Sequence, residues 1–266
     1  MEIAVEDICQ WVEEWAPAGW AEEWDNVGLQ FGSLRAPVRH LGLALELTPA
    51  VAKWVREEKI DCLLTHHPVF FRPLKRLSAE DPWEALILGL IREGVTVVSY
   101  HTNLDVAPGG VTEALGKGLG LRMGEPLRPR KEDPRVGLGR LAEVPEPLSL
   151  AELAERLARL VKAPVFLVGE GELRLRRVAL CAGSGMDLLP EVLQNQAQAF
   201  ITGDVKHHAA RVAEVSGVAL VVSDHYALEE YFWQKLARKI AQEFPAIRVS
   251  YFRGKGPFQQ ILPKEA

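Results

Sequence analysis

The chain has 266 residues, of which 48% are hydrophobic and 25% are charged, and its formal net charge at pH 7 is −5. This composition is typical of a folded globular protein and excludes a disordered or fibrous chain. Because no stretch of about 18 residues is free of charge, we expect no membrane-spanning helix.

The acidic balance and the cysteine usage also bear on partners and compartment. A net negative surface does not favour the phosphate backbone, so we do not expect a nucleic-acid-binding protein, although a small anionic ligand could still bind in a local pocket. The three cysteines form no Cys-x-x-Cys pair, and the N-terminal residues are acidic rather than basic. These features predict a cytoplasmic protein without a secretory signal.

The first half of the sequence predicts alternating helices and strands. Apolar residues recur at helical spacing from Val5 to Trp15, and the alternation from His40 to Glu46 is typical of a strand. Thr48 and Pro49 predict a helix start, since threonine is a favoured N-cap and proline fits the first turn. The elements that follow are a strand at 60–64 ending in Thr-His-His-Pro, a helix at about 80–93 and a strand at 95–100.

The second half begins after a change in composition. Five prolines lie between residues 125 and 147, and we interpret this segment as a link between lobes. Ser149 and Glu152 then predict a capping box at the start of a helix that runs to about Val161. The later predicted elements are strands at 165–168, 178–182, 199–201, 218–222 and 247–252 and helices at about 188–196, 204–215 and 227–243.

Strands that alternate with helices predict an α/β fold with parallel βαβ units. We place a first lobe at residues 1–125, a Pro-rich link at 126–148 and a second lobe at 149–266. The last helix and strand of the second lobe are free to pack on the first.

A weak internal duplication relates the two halves. Residues 99–105 read Ser-Tyr-His-Thr-Asn-Leu-Asp and residues 223–229 read Ser-Asp-His-Tyr-Ala-Leu-Glu, so both follow the pattern S-x-H-x-x-L-[DE] after a hydrophobic strand. Such repeats shape a whole fold. We therefore predict two similar α/β lobes with a site between them.

The repeated motif predicts a metal site. In a helical segment, a histidine and a carboxylate four residues later lie on one face. Two such pairs are predicted just beyond strand ends, and His66 and His67 lie at the end of a neighbouring strand. Together these side chains would bring enough ligands into one cleft for two divalent ions. A lone histidine at a strand end is usually structural, but the duplication favours the metal interpretation. The residues in the motif copies are His101, Asp105, His225 and Glu229.

Other polar residues give weaker signals. Gly183-Ser184-Gly185 follows a strand and can be a phosphate-binding turn or an ordinary tight turn. Asp204 is expected to cap a helix, with a role in the site as the alternative, and His207 and His208 are expected on the surface. The candidates for the substrate cleft are Asp25, Asn26, Asn103, Ser184 and Asp204.

Several motifs, taken in chain order, resemble one known family, the dinuclear-metal proteins called GTP cyclohydrolase 1 type 2-like or NGG-interacting-factor-three-like. The resemblance extends from one end of the chain to the other. The matching motifs are Trp-Asp-Asn-Val-Gly-Leu at 24–29, Thr-His-His-Pro at 65–68, His-Thr-Asn-Leu-Asp at 101–105, Cys-Ala-Gly-Ser-Gly at 181–185, Thr-Gly-Asp at 202–204 and His-Tyr-Ala-Leu-Glu at 225–229.

This resemblance implies two α/β lobes with two metal ions between them, in a ring-shaped homohexamer. It implies a short form of the family, because only the Pro-rich link stands where some members carry an inserted domain. His101 is implied as a further ligand or as a residue that orients one, and Glu46 stands where the family commonly has aspartate. The ligands that the resemblance implies are His66, His67, Asp105, His225 and Glu229.

Three functions follow as hypotheses. The family label implies a hydrolase in which metal-activated water opens the imidazole ring of a guanine nucleotide. The same constellation suits phosphoester hydrolysis, and a third alternative is a non-catalytic protein that binds or delivers metal or acts as a scaffold. Mixed imidazole and carboxylate ligands suit Zn, Fe, Mn, Ni or Co, and we expect about two ions per chain.

Overall fold

The computed structural model describes residues 2–258. Within these residues the chain forms nine α-helices and thirteen β-strands. The helices are α1 Val5–Glu13, α2 Pro49–Glu58, α3 Pro82–Arg92, α4 Thr102–Val106, α5 Val111–Gly118, α6 Leu150–Val161, α7 Leu189–Gln194, α8 His207–Val215 and α9 His225–Glu243. The strands are β1 Gly28–Phe31, β2 His40–Ala44, β3 Cys62–Thr65, β4 Thr96–Ser99, β5 Arg122–Met123, β6 Arg128–Pro129, β7 Gly137–Leu138, β8 Arg140–Ser149, β9 Val165–Val168, β10 Arg174–Ser184, β11 Ala199–Gly203, β12 Ala219–Ser223 and β13 Arg248–Tyr251.

Most strands belong to two sheets. The first has the order β1-β4-β3-β2-β13, in which the last four strands are parallel and β1 is antiparallel to β4. The second has the order β5-β8-β10-β11-β12-β9, in which β10, β11 and β12 are parallel. Strands β8 and β9 flank this parallel core in the antiparallel direction, and β6 pairs with β7 in a small separate sheet.

The two sheets confirm the predicted α/β fold with duplicated lobes. Each contains three consecutive parallel strands, β2-β3-β4 in one and β10-β11-β12 in the other, and the strand preceding each trio along the chain lies antiparallel beside its third member. A helix follows each third strand, α4 in the first lobe and α9 in the second. The copies differ on the opposite side, where β13 adds in parallel to β2 whereas β8 adds antiparallel to β10.

The Pro-rich segment 126–148 contains regular structure that its composition did not predict. It forms β6, β7 and most of β8, and β8 lies inside the second sheet between β5 and β10. Proline is tolerated in β8 because the pairing between β8 and β10 shifts register near residue 176, so the ladder is interrupted there.

Local sequence explains where the main helices begin. Thr48 accepts a hydrogen bond from the Val51 amide at 3.2 Å and precedes Pro49. The predicted capping box is confirmed, since the Ser149 hydroxyl accepts from the Glu152 amide at 3.2 Å and the Glu152 carboxylate accepts from the Ser149 amide at 2.7 Å. These caps satisfy amides that have no partner within the helix.

One buried core lies between the lobes and smaller cores lie outside them. The side chains of Trp233, Leu236 and Ile240 on α9 are buried together with Tyr100 from the first lobe and Leu180 from the second. Separate clusters pack α2 and α3 on the outer face of the first sheet and α7 and α8 on that of the second. None of the helices in the described range is long and apolar enough for a bilayer crossing.

The C-terminal strand joins the first lobe. Residues 248–251 of β13 pair in parallel with residues 40–43 of β2. His40 fixes this junction, because its Nδ1 lies 2.9 Å from the Glu58 carbonyl oxygen and its Nε2 lies 2.8 Å from the Ser250 hydroxyl. A carbonyl can only accept, so Nδ1 donates and Nε2 accepts from the hydroxyl. His40 therefore has a structural role.

Candidate metal centre

The repeated motifs meet in one cleft between the lobes. His66 and His67 directly follow β3, and Asp105 lies on the short helix α4. Helix α9 begins at His225, two residues before the predicted start, because Asp224 caps it by accepting from the Ala227 amide. His225 is therefore helical, and its side chain lies on the same face of α9 as that of Glu229, four residues later.

The Glu229 carboxylate lies at the centre of these side chains, and this residue is only 2% exposed. Its Oε2 is 3.1 Å from His67 Nε2, and its Oε1 is 2.9 Å from His225 Nε2 and 3.6 Å from His66 Nε2. Asp105 Oδ1 lies 3.6 Å from the same His66 nitrogen. The arrangement therefore brings residues from both lobes to one carboxylate.

His66 is fully buried and its orientation is set by the backbone. Its Nδ1 lies 2.9 Å from the Tyr100 carbonyl oxygen, which can only accept, so Nδ1 is the protonated nitrogen. The lone pair of Nε2 then faces the two carboxylates. The Trp233 ring packs against the imidazole with a centroid distance of 5.6 Å.

Two other imidazoles are held by carboxylates in the same way. His67 Nδ1 lies 3.3 Å from Glu46 Oε2, and His225 Nδ1 lies 2.7 Å from Asp204 Oδ2. Asp204 has a left-handed backbone with φ of 51°, and helix α8 is preceded by Lys206 as N-cap. Of the two roles considered for Asp204, helix cap and site residue, the contacts favour the second.

His101 completes the set. Its Nδ1 lies 3.0 Å from Asp25 Oδ1, while the other oxygen of Asp25 accepts from the Thr102 amide at 3.0 Å and from the Thr102 hydroxyl. Although burial tends to raise the pKa of Asp25, these contacts lower it to about 2. The carboxylate thus stays charged and keeps the Nε2 side of His101 available to the cleft.

Burial and mutual charge shift the titration of the central residues. Burial lowers the pKa of His66 to about 4, more strongly than Glu229 raises it. For His67 the burial effect is outweighed by the carboxylates of Glu229 and Glu46, which raise its pKa to about 10. Burial, followed by the charge of Glu229, raises the pKa of Asp105, and the neighbouring imidazoles hold that of Glu229 low against burial.

The donor set fits divalent metal ions. His66 Nε2 and Asp105 Oδ1 are buried and have no hydrogen-bond partner among residues 2–258, an arrangement that is costly unless something else binds them. Ligand atoms of His66, His67 and His101 lie within 4.8 Å of one another, and so do those of His67, His225 and Glu229. The two groups share His67, so one continuous donor set could hold more than one ion.

Gly183 permits the close approach of the second lobe to this donor set. Its φ is +73°, and a Cβ at this position would lie 2.5 Å from Glu229 Oε1. Residues 183 and 184 form the end of β10 and are followed by a short 3₁₀ turn at 186–188. We therefore interpret the Gly-Ser-Gly segment as an element that makes space for the carboxylate rather than as a phosphate-binding turn.

The cleft above the donor set has a volume of about 510 Å³. Asp25 lies behind His101, and Ser184 is an exposed wall residue. Asn103 does not line the cleft, because it is fully buried, donates to the Ala16 carbonyl at 2.7 Å and accepts from the His101 amide at 3.0 Å. Asn26 is exposed, is not among the cleft-lining residues and donates to the Phe70 carbonyl at 2.8 Å.

Among the cleft residues that the sequence did not reveal are two aromatic side chains. Trp24 and Phe71 both line the cleft, and each ring centroid lies 5.8 Å from that of His101. The only available signal was the position of Trp24 beside Asp25 in the first matching motif. His207 and His208 lie exposed on α8 and are not among the cleft residues.

Comparison with known proteins agrees with this architecture. The Duf34/NIF3 (NGG1p interacting factor 3) family matches residues 3–255. A GTP cyclohydrolase 1 type 2 homolog of Streptomyces coelicolor is 33% identical over 219 residues, covering 80% of this chain and 77% of the relative. Another of Clostridium acetobutylicum is 28% identical over 231 residues, 86% of each chain.

A solved structure extends the comparison to the fold. The crystal structure of a hypothetical protein from Staphylococcus aureus superposes with a TM-score of 0.89 at 27% identity. The match covers 98% of this chain and all of the other. The similarity therefore includes both lobes and the segment between them.

Proposed function

The chain belongs to the Duf34/NIF3 family, and from this premise we propose that it is a dinuclear metal-dependent hydrolase acting on a small nucleotide-like substrate. The observation that supports the proposal best is the convergence of imidazole nitrogens on the two oxygens of Glu229. The nitrogens of His40, in contrast, contact a backbone carbonyl and a serine hydroxyl. Two triads of donors that share one histidine suit two ions.

The residues that would hold the ions come from both lobes. Bound divalent ions would supply Lewis acidity and would activate water near neutral pH. The carboxylates behind His67, His101 and His225 hold these rings by Nδ1, as is typical of histidine ligands in metal enzymes. The proposed ligands are His66, His67, Asp105, His225 and Glu229, with His101 as a further ligand or a proton carrier.

His101 is the residue we assign to proton transfer when it does not bind metal. Its Nδ1 is held by Asp25, so a proton can be accepted or donated only at Nε2. The proposed reaction is hydrolytic opening of the imidazole ring of a guanine nucleotide, which the name of the relatives suggests. The cleft of about 510 Å³ would provide the space for the substrate.

Metal content and product analysis test the proposal together. We expect about two ions per chain by elemental analysis of protein never exposed to chelator, and a ring-opened or formate product from GTP. His225→Ala should lower both metal content and turnover, whereas His207→Ala, a change at an exposed histidine outside the cleft, should alter neither.

Three outcomes would contradict the proposal in different ways. One ion or none per chain would exclude the dinuclear site. Hydrolysis of phosphodiesters but not of the guanine ring would favour the phosphoesterase alternative. Full metal occupancy without turnover on any of these substrates would favour metal binding or delivery. The homohexamer implied by the resemblance remains a prediction, which light scattering of the full chain would check.

A further inference from the structure

The entrance of the cleft is formed by two aromatic side chains that are unusually exposed for their size. Trp24 is 60% exposed and Phe71 is 51% exposed. Isolated exposed aromatics are common on protein surfaces, but these two lie beside the same imidazole. Each ring packs against His101 in a T-shaped arrangement, at 74° and 87° between ring planes, and about half or more of each residue stays exposed and can contact a ligand.

The loops that present these rings are fixed by polar contacts. Asp25 holds the first loop to the Thr102 amide at 3.0 Å. Asn26 then ties it to the second loop by donating to the Phe70 carbonyl at 2.8 Å, and Gln30 accepts from the Phe70 amide at 3.2 Å. The backbone segments that carry the two aromatic side chains are therefore tied together before a ligand arrives, which reduces the entropy cost of binding.

The charged side chains of the cleft wall offer few partners for ion pairs with a ligand at this entrance. Arg128, the one arginine that lines the cleft within the described part of the chain, already pairs with Glu191 at 2.6 Å and with Asp187 at 3.0 Å. Most other charged groups of the wall are carboxylates, including that of Glu22. An organic ligand must therefore gain much of its affinity from contacts other than ion pairs with the walls.

We propose that Trp24 and Phe71 determine specificity by stacking a planar ring of the ligand at the mouth of the cleft, beside His101. This assignment rests on the proposed function, because that function supplies the reaction at the metal ions. It adds two residues that recognise the ligand to the same site. Aromatic stacking on a nucleobase contributes about 1–3 kcal/mol, which corresponds to about tenfold in affinity near the lower end of that range.

The test compares guanosine 5′-monophosphate with ribose 5-phosphate, which has the same sugar and phosphate but no ring system. Binding to the full chain is measured by titration calorimetry, with and without added metal. We expect the nucleotide to bind at least about tenfold more tightly. Trp24→Ala and Phe71→Ala should each lower that preference about tenfold, whereas Trp24→Phe should keep most of it. The metal content of all three variants should equal that of the wild type.

Trp83→Ala is the matched control, because Trp83 is also a partly exposed aromatic but lies on α3 and is not a cleft residue. Equal affinity for the two probes, or wild-type affinity in both alanine variants, would overturn the assignment. Metal-loaded protein that prefers the nucleotide but turns over no substrate would contradict only the proposed function. Active protein without the preference would contradict only the aromatic assignment.

Discussion

At the scale of single residues, the candidate metal centre depends on the nitrogens that face away from it. His66 is oriented by a backbone carbonyl, whereas His67, His101 and His225 are oriented by carboxylates. When such a ring carries a single proton, anchoring that proton at Nδ1 leaves the lone pair of Nε2 pointing into the cleft. The carboxylates behind the ring therefore matter for metal affinity even though they need not touch a metal.

Glu46 provides a clean test of this role. Glu46→Ala should lower metal affinity about ten- to hundredfold, because His67 loses the acceptor that holds its Nδ1. Glu46→Gln is the matched control, since its amide oxygen still accepts from Nδ1 and most of the affinity should remain. Metal titration by calorimetry makes the measurement. Equal affinities in the alanine variant and the wild type would contradict an orienting role for this residue.

At the scale of elements, β8 differs most from expectation. Its first residue, Arg140, is 1% exposed, and its guanidinium donates to the carbonyls of Gly137 at 2.7 Å and Val106 at 3.0 Å. It also pairs with Glu113 on α5 at 3.0 Å. One buried side chain thereby joins β8 to the first lobe, and a segment rich in proline becomes an ordered part of the fold.

Arg140→Met should lower the free energy of unfolding by about 3–5 kcal/mol, because it leaves buried carbonyls without donors and removes the cation beside Glu113. Urea unfolding followed by circular dichroism measures the change. Arg122→Met is the control: Arg122 pairs with Glu143 at 3.2 Å on the surface, and its loss should cost about 0.5 kcal/mol. Similar losses for both variants would show that burial of Arg140 is not the decisive factor.

At the scale of the whole molecule, the two lobes depend on one another. The donors of the candidate metal centre come from the ends of β3, α4 and α9, and β13 returns to complete the first sheet beside β2. The core residues of α9 are buried among side chains from both lobes. We therefore expect ligand binding in the cleft to stabilise the molecule as a unit.

Chelation measures this coupling. A divalent ion at about 100 times its dissociation constant stabilises the folded state by about 2.7 kcal/mol, so removing it from a chain of this size should lower the Tm by about 5–10 °C. Differential scanning calorimetry with and without chelator checks the shift. In Glu229→Gln the shift should largely disappear, because the central carboxylate is lost. A Tm that chelator leaves unchanged in the wild type would contradict metal-linked stability.

The sequence by itself determined the parallel strand trios, the capped helix starts and the repeated His-x-x-x-[Asp/Glu] motif, because periodicity, capping and spacing are local properties. It could not determine the strands of the Pro-rich segment, whose order depends on the distant partners of Arg140. It also could not distinguish Asp204, which holds the Nδ1 of His225, from Asn103, which faces the core. The sequence likewise does not reveal the pair formed by Trp24 and Phe71. These residues are distant from each other and from His101 in the sequence, and only the folded chain brings both rings against that imidazole.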